Sequence, residues 1–439
     1  MRKIDIKGDL NKRKFKITPK FYYWFYRTVM KVVGKKYNAH YEIVDDITKE
    51  KGPCFVLFNH LSRIDHMYVM EITYPKRINM LAGYAEFYRS HLHWAFKMNN
   101  VLPKKNYCND MLGIKAIMSI IKQGGSVTFA PEGLASNDGQ NKPIVPQTGG
   151  MLKKFGIPVY FVELRGQYLQ NTKHCLDERY GETYAKLSLL FSPEDLKTLT
   201  VEEIDNKINI AFKHDEYAWQ KEHHIKWKTN GETCKNLHQL LYKCPRCGKE
   251  FMMEGSGDRL ICHNCGNGAT LDEYYDFHKF DDTCVIPEST TDWVNSERFD
   301  IIHEIREDQN YKFVEKVQIG KLPNDHYLKD KKTSEIVDSG DFIIDHEGVH
   351  FKGKSKEHDF DLIYNEIYTT ITEVDSSYMN IFVRGEYHDI FPERASVIKM
   401  NMLIEEMHRL HVNYYKNFPW NDYMYKGTEL EKGWEIEND

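Results

Sequence analysis

The chain has 439 residues, 41% hydrophobic and 28% charged. That is too long for one ordinary core and too apolar for a disordered polymer, so two or three domains are expected. Lysine plus arginine total 60 against 65 acidic residues, a balance that argues against a nucleic-acid binder coated in basic surface.

The total hides an asymmetry. Met1–Lys36 holds twelve basic residues against Asp5 and Asp9, a charge of +10 that leaves −15 on the remainder. Such a head is drawn to an anionic surface, with a phospholipid bilayer as first candidate. Within it, Lys20–Lys36 projects as a helix with Lys20, Arg27, Lys31 and Lys35 in one stripe, opposed by Tyr22, Phe25, Val29, Val32 and Val33. Residues 1–40 therefore read as a basic amphipathic segment for a membrane interface, and the alternative is a helix whose aromatic face docks on its own domain. Apolar runs fall short of the roughly 18 residues that cross a bilayer, and the basic start lacks a signal-peptide cleavage pattern. The expected location is cytoplasmic, peripheral on the inner face of the membrane.

From Cys54 to Leu164 short apolar strands alternate with helices, as in a mostly parallel α/β sheet flanked by helices. Strands are expected at Cys54–Phe58, Val127–Phe129 and Val159–Leu164, and helices at Met67–Ile72, Gly113–Lys122, Gly149–Phe155 and Val201–His223. A boundary near 230 closes a domain over 41–230. A compact cysteine module follows at 240–276. Beyond 300 the texture turns to β: a hairpin at Phe342–Ile344 and Val349–Phe351, then strands near Ile367–Ile371, Asn380–Val383 and Tyr387–Phe391, closed by a helix over Ala395–His411. Residues 300–415 thus read as a small antiparallel β-barrel closed by one helix, like pleckstrin-homology or GRAM domains in topology alone, with 416–439 as a tail.

The strongest catalytic signal is Asn59-His60-Leu61-Ser62-Arg63-Ile64-Asp65, directly after a strand. A His and an Asp five positions apart across a helix start can fold back, the carboxylate accepting from one ring nitrogen and the other being left as a base. This is the orienting half of a Ser-His-Asp triad without its nucleophile, so the proton to be removed belongs to a substrate hydroxyl. Read without function, the pair simply caps a helix, and Ser62 is assigned to capping. Further on stand Phe129-Ala130-Pro131-Glu132-Gly133 and Gly156-Ile157-Pro158-Val159, each beside a strand.

In order and spacing, these blocks resemble the glycerophospholipid acyltransferase family, typified by lysophosphatidate acyltransferases, over about 20–220. The resemblance implies His60 as general base and Asp65 as its partner. It also implies Glu132 and Gly133 as acceptor-binding residues, and Pro158 near the acyl or acceptor path. It further implies an acyl thioester, acyl-CoA or acyl-carrier protein, as co-substrate, a membrane lipid as acceptor and a place in phospholipid biosynthesis. Two departures stand out. The arginine that follows the Pro-Glu-Gly block in the family is replaced by Leu134-Ala135, and the basic second block here is Lys104-Lys105, point charges without a bidentate fork. The first-choice acceptor is 1-acyl-glycerol-3-phosphate. The alternatives are a different lipid hydroxyl, or a noncatalytic lipid- or protein-binding scaffold.

Cys244-Pro-Arg-Cys247-Gly and Cys262-His-Asn-Cys265-Gly form two C-x2-C knuckles, each followed by glycine. Four thiolates at this spacing enclose one ion tetrahedrally with no open position, so a structural zinc in a zinc ribbon is expected, with iron as the chemical alternative. The segment Lys243–Gly266 has only Lys243, Arg246, Lys249 and Arg259 as bases and one aromatic, Phe251, so nucleic acid is not an expected partner.

Overall fold

The computed structural model describes residues 4–145, 147–329 and 332–412; the expected 416–439 tail lies outside them. Two helices open the chain, α1 (Ile6–Lys12) and α2 (Lys20–Gly34). Seven strands then build the first sheet: β1 (Asn38–Ile43), β2 (Phe55–Phe58), β3 (Ile78–Gly83), β4 (Leu102–Lys104), β5 (Ser126–Phe129), β6 (Val159–Arg165) and β7 (Glu182–Phe191). Between them run α3 (Asp65–Thr73), α4 (Ser90–Met98), α5 (Met111–Lys122), α6 (Thr148–Phe155) and α7 (Gln167–Gln170). After β7 come α8 (Pro193–Thr198), α9 (Val201–Phe212) and α10 (Glu216–His223).

The strand order is β1-β7-β6-β2-β5-β3-β4, and every pairing is parallel except β6 with β7. Alternation sorts the side chains of β2: Phe55 and Leu57 enter one core with Ile117, Ile120 and Phe212, while Val56 enters the opposite one with Tyr68 and Val69. The single helix expected over Val201–His223 is two. Lys213 and Asp215 leave helical geometry, and the Asp215 carboxylate caps α10 by accepting from the Tyr217 and Ala218 N–H groups.

Two cations of the α2 stripe are engaged by α3, while Lys20 and Lys35 stay exposed. Arg27 makes a bidentate pair with Glu71 of α3 at 2.8 and 2.7 Å, Lys31 Nζ lies 3.3 Å from the same carboxylate, and Tyr26 Oη meets His66 Nε2 at 3.0 Å. The apolar face is left outward, with Phe21 64% and Val32 60% exposed and Trp24, Phe25 and Val33 also exposed. Among the described residues no helix is long and apolar enough to cross a membrane.

The cysteine module carries a four-stranded antiparallel sheet of β8 (Met253–Ser256), β9 (Arg259–Cys262), β10 (Gly268–Leu271) and β11 (Phe277–Lys279). Helix α11 (Thr290–Glu307), which the sequence reading missed, leads into the last sheet: β12 (Lys312–Lys321), β13 (Glu335–Asp345), β14 (Gly348–Gly353), β15 (Phe360–Leu362), β16 (Ile371–Thr372), β17 (Met379–Val383) and β18 (Glu386–Pro392). The expected hairpin is there, with Ile344 opposite Val349. The strand expected at Ile367–Ile371 shrinks to Ile371–Thr372.

The barrel is not closed. The order is β15-β14-β13-β12-β18-β17-β16, an open half-barrel whose two edge strands do not pair with each other. Helix α12 (Val397–Val412) is buried from Val397 through Arg409, on every face rather than on the one stripe that the hydrophobic spacing suggests. One buried cluster runs without a break from Cys54 and Val56 of the first sheet through Trp227, Cys244 and Trp293 to Ile390 and Met407. The parts expected as separate units therefore share a core.

Candidate active site

Parallel pairing sets the site. Leu57 pairs with Phe129, Met80 with Thr128 and Leu81 with Leu102, so the ends of β2, β5, β3 and β4 meet on one edge of the sheet, where loops of such folds hold ligands. His60 stands two residues beyond β2, Glu132 three beyond β5, and Lys104 ends β4.

The His60 turn is built around one carboxylate. Asp65 Oδ2 lies 2.8 Å from His60 Nδ1 and accepts the N–H groups of Leu61 (2.7 Å) and Ser62 (2.9 Å). Asp65 Oδ1 accepts from Ser62 Oγ at 2.6 Å, so Ser62 serves the carboxylate rather than capping α3. Asp65 is 1% exposed and the His60 side chain 29%: the orienting group is sealed and the ring opens outward. Asn59 pins the strand end, its side chain accepting from Leu164 N–H at 2.7 Å and donating to Leu164 O at 2.9 Å.

Glu132 is buried, and both its oxygens are taken by backbone. Oε2 accepts from His60 N–H at 2.7 Å and Oε1 from Lys142 N–H at 2.9 Å. Burial pushes its carboxyl up to about 8, against the pull of those two donors. In this geometry Glu132 ties the His60 loop to the loop that ends at Lys142. Gly133 has φ +82, and a Cβ there would meet Tyr107 Oη and Val145 at 3.0 Å, so glycine is required by the turn. The sequence reading missed two residues that brace this turn: Tyr107 Oη donates to Glu132 O at 2.7 Å and Asn106 Nδ2 to Gly133 O at 2.6 Å. Neither carries a local pattern that would mark it.

The two lysines part company. Lys104 Nζ lies 5.8 Å from the Phe129 ring centroid, beside the Pro-Glu-Gly turn, and burial pulls its ammonium down to about 8 although Asp110 raises it. Lys105 points elsewhere, donating to Gly385 O of the half-barrel at 3.0 Å and lying over the Tyr84 ring. Pro158 lies away from His60. It precedes β6, whose Val159 pairs with Phe55 at the start of β2, so it is level with Cys54, at the opposite end of the strands from His60.

The four knuckle cysteines converge, their sulfurs all within 4.8 Å of one another. Cys244 Sγ is 3.7 Å from Cys265 Sγ and Cys247 Sγ 3.8 Å from Cys262 Sγ, close to the ~3.8 Å edge of a tetrahedron with 2.3 Å zinc–sulfur bonds. Gly248 and Gly266 adopt φ +69 and +74, the left-handed turn that each knuckle needs. The Asn264 and Asn267 amides donate to Cys247 Sγ at 3.4 Å and Cys244 Sγ at 3.6 Å. The donor set fits a structural zinc, which these cysteines would hold closed to substrate.

Residues 33–164 match the family model described as Acyltransferase. The chain is 26% identical over 132 residues to a chloroplastic 1-acyl-sn-glycerol-3-phosphate acyltransferase of Brassica napus, a match spanning 30% of this chain and 38% of that protein. The crystal structure of the 1-acyl-sn-glycerophosphate (LPA) acyltransferase PlsC from Thermotoga maritima is similar at 16% identity and a TM-score of 0.37, over 44% of this chain and 78% of that one. The matched segment, residues 33–164, is the part of this longer chain that carries the His60, Asp65 and Glu132 loops.

Proposed function

We propose that the protein transfers a fatty acyl group from an acyl thioester to the hydroxyl of a lysophospholipid, with 1-acyl-glycerol-3-phosphate as the first acceptor to test. The observation that carries this is the outward-facing His60 ring held at Nδ1 by a sealed Asp65, 2.8 Å away. Asp65 fixes the tautomer in which Nδ1 bears hydrogen, which leaves Nε2 as base. Nε2 takes the proton of the acceptor hydroxyl as its oxygen attacks the thioester carbonyl. The tetrahedral oxyanion collapses, the carbon–sulfur bond breaks, and the thiolate leaves with the proton that His60 had taken. The transfer is direct in this scheme, which implies no cysteine or serine acyl-enzyme.

A second acceptor class is favoured by Leu134 and Ala135, both buried where the family carries its arginine. With no guanidinium there to grip a phosphate, a different lipid hydroxyl is the alternative. The outward aromatic face of α2 supports peripheral attachment to the bilayer that holds such substrates.

The test is transfer of a labelled acyl group from acyl-CoA and from acyl-carrier protein to a panel of lysophospholipids and other lipid alcohols. Product with 1-acyl-glycerol-3-phosphate supports the first reading and product with another alcohol the second. No product with any pair supports a noncatalytic scaffold.

A further inference from the structure

The loop from Pro131 to Lys142 that follows β5 is buried along its whole length, and much of its cover comes from the C-terminal half of the chain. Asn137 Nδ2 donates to Asn401 Oδ1 of α12 at 3.2 Å and Gln140 Nε2 to Asn295 Oδ1 of α11 at 3.0 Å. Lys142 ends the loop and faces two ways. Its backbone N–H donates to Glu132 Oε1 at 2.9 Å, while its ammonium lies 3.6 Å from Glu405 Oε2 on α12. The other Glu132 oxygen holds the His60 N–H.

Four residues therefore connect α12 to the His60 main chain in series: Glu405, Lys142, Glu132 and His60. The far end is anchored in turn. Glu405 receives Arg298 Nη2 of α11 at 2.8 Å and Thr369 Oγ1 at 2.8 Å. Burial raises the Glu405 carboxyl, but Lys142 and Arg298 overcome that and hold it down at about 2, so it is an anion at working pH. Burying an ammonium costs several kcal/mol unless it is paired. A leucine would fill the site without that cost, so the lysine is explained by the register it sets rather than by packing.

We propose that Lys142 is a positioning residue for the reaction: its ion pair with Glu405 lets α12 set the height of Glu132 and, through it, of the His60 loop. This rests on the acyl-transfer reading above, and it makes the C-terminal half a part of the active site rather than an appendage.

The experiment uses the full-length, zinc-loaded chain and the variants Lys142→Met, Lys142→Arg, Glu405→Gln and the Lys142→Met/Glu405→Gln double. Acyl transfer is followed with the best donor–acceptor pair of the panel, and backbone hydrogen exchange at His60–Ser62 is measured in parallel. Lys142→Met should lower kcat about tenfold or more with KM changed less than about twofold, as expected for a misplaced base. Lys142→Arg should recover most of the loss, and the double variant should be no worse than the poorer single one. Exchange at His60–Ser62 should quicken about tenfold in Lys142→Met while amides of β6 keep their protection. A wild-type kcat in Lys142→Met overturns the proposal, as does a loss confined to KM or to the folded fraction. A wild type that acylates nothing sinks the acyl-transfer reading; the exchange data then still decide the positioning role, unchanged protection overturning it.

Discussion

Asp65 Oδ2 sits 2.8 Å from His60 Nδ1 and also accepts the Leu61 and Ser62 N–H groups, so one carboxylate fixes both the ring and the turn that carries it. Asp65→Asn keeps the shape but turns an NH2 group toward donors or frees the wrong tautomer. Labelled acyl transfer should show kcat down by about 10²–10⁴-fold for Asp65→Asn, and no turnover for His60→Ala. Circular dichroism and vesicle binding of His60→Ala should match wild type. A His60→Ala protein with normal turnover removes the ring from the mechanism.

Glu132 separates two readings of the Pro-Glu-Gly block. An acceptor-binding glutamate, once replaced, raises the acceptor KM. The geometry instead has Glu132 accepting from His60 and Lys142, so Glu132→Gln sets an NH2 against one N–H and leaves a buried donor unpaired, at about 1–3 kcal/mol. The expected outcome is a loss of roughly tenfold or more in kcat with acceptor KM nearly unchanged, read from saturation curves in both substrates. A rise in KM alone would return Glu132 to the acceptor.

What the sequence made legible was local. His60 and Asp65 are five positions apart at a strand-to-helix turn, and the cysteine knuckles carry their own geometry, so short-range spacing was enough. Pro158 was legible too in principle: in a parallel sheet a residue before a strand and a residue after its neighbour lie at opposite ends of the strands, and Pro158 and His60 are such a pair. The cover over the Pro131–Lys142 loop was not legible, because it joins residues 264 positions apart, as Asn137 and Asn401 are. Arg298, Glu405, Glu406 and Arg409 read as solvated charges in any hydropathy pattern, yet they are buried together. Barrel closure was misjudged because it depends on whether β15 meets β16, a non-local matter that strand spacing does not encode.

The metal should be structural and felt across the chain. Cys244 and Cys262 belong to the same buried cluster as Trp293 and Met407, so losing the ion loosens more than the knuckles. Elemental analysis is expected to find one zinc per chain, and a strong chelator to lower the melting temperature of the whole protein. Cys247→Ser should bind metal weakly. A red protein with stoichiometric iron would replace zinc by the alternative ion.

Acid should unlock the Glu405 cluster. Its carboxyl is held at about 2 against an ordinary 4.5, so on acidification the unfolded chain takes up the proton first. The stability from this group is fully present above about pH 4.5 and is lost as pH falls toward 2, on the order of 3 kcal/mol at most. Glu405→Gln should flatten that limb of a stability–pH curve measured by denaturant unfolding between pH 7 and 3. At neutral pH it should cost roughly 3–5 kcal/mol, since Lys142 and Arg298 lose a buried partner. An unchanged acid limb would show that the pair contributes nothing there.

Attachment of α2 to a bilayer should depend on its apolar face more than on its charge. Arg27 and Lys31 are engaged by Glu71, which removes two cations from the stripe available to lipid headgroups. Phe21, Trp24, Phe25 and Val32 remain exposed together, and burying each such side chain is worth roughly 1.5 kcal/mol or more, about tenfold in affinity. Replacing Phe21, Trp24 and Phe25 by serine should therefore weaken binding to mixed vesicles by at least about 10³-fold if the increments add. Salt should weaken the wild type far less, through lysines such as Lys20 and Lys35 alone. Vesicle flotation at 0.1 and 0.5 M salt, with neutral and anionic lipid, separates the terms. Binding that the serine variant keeps and salt abolishes would make the +10 head, not the aromatic face, the anchor.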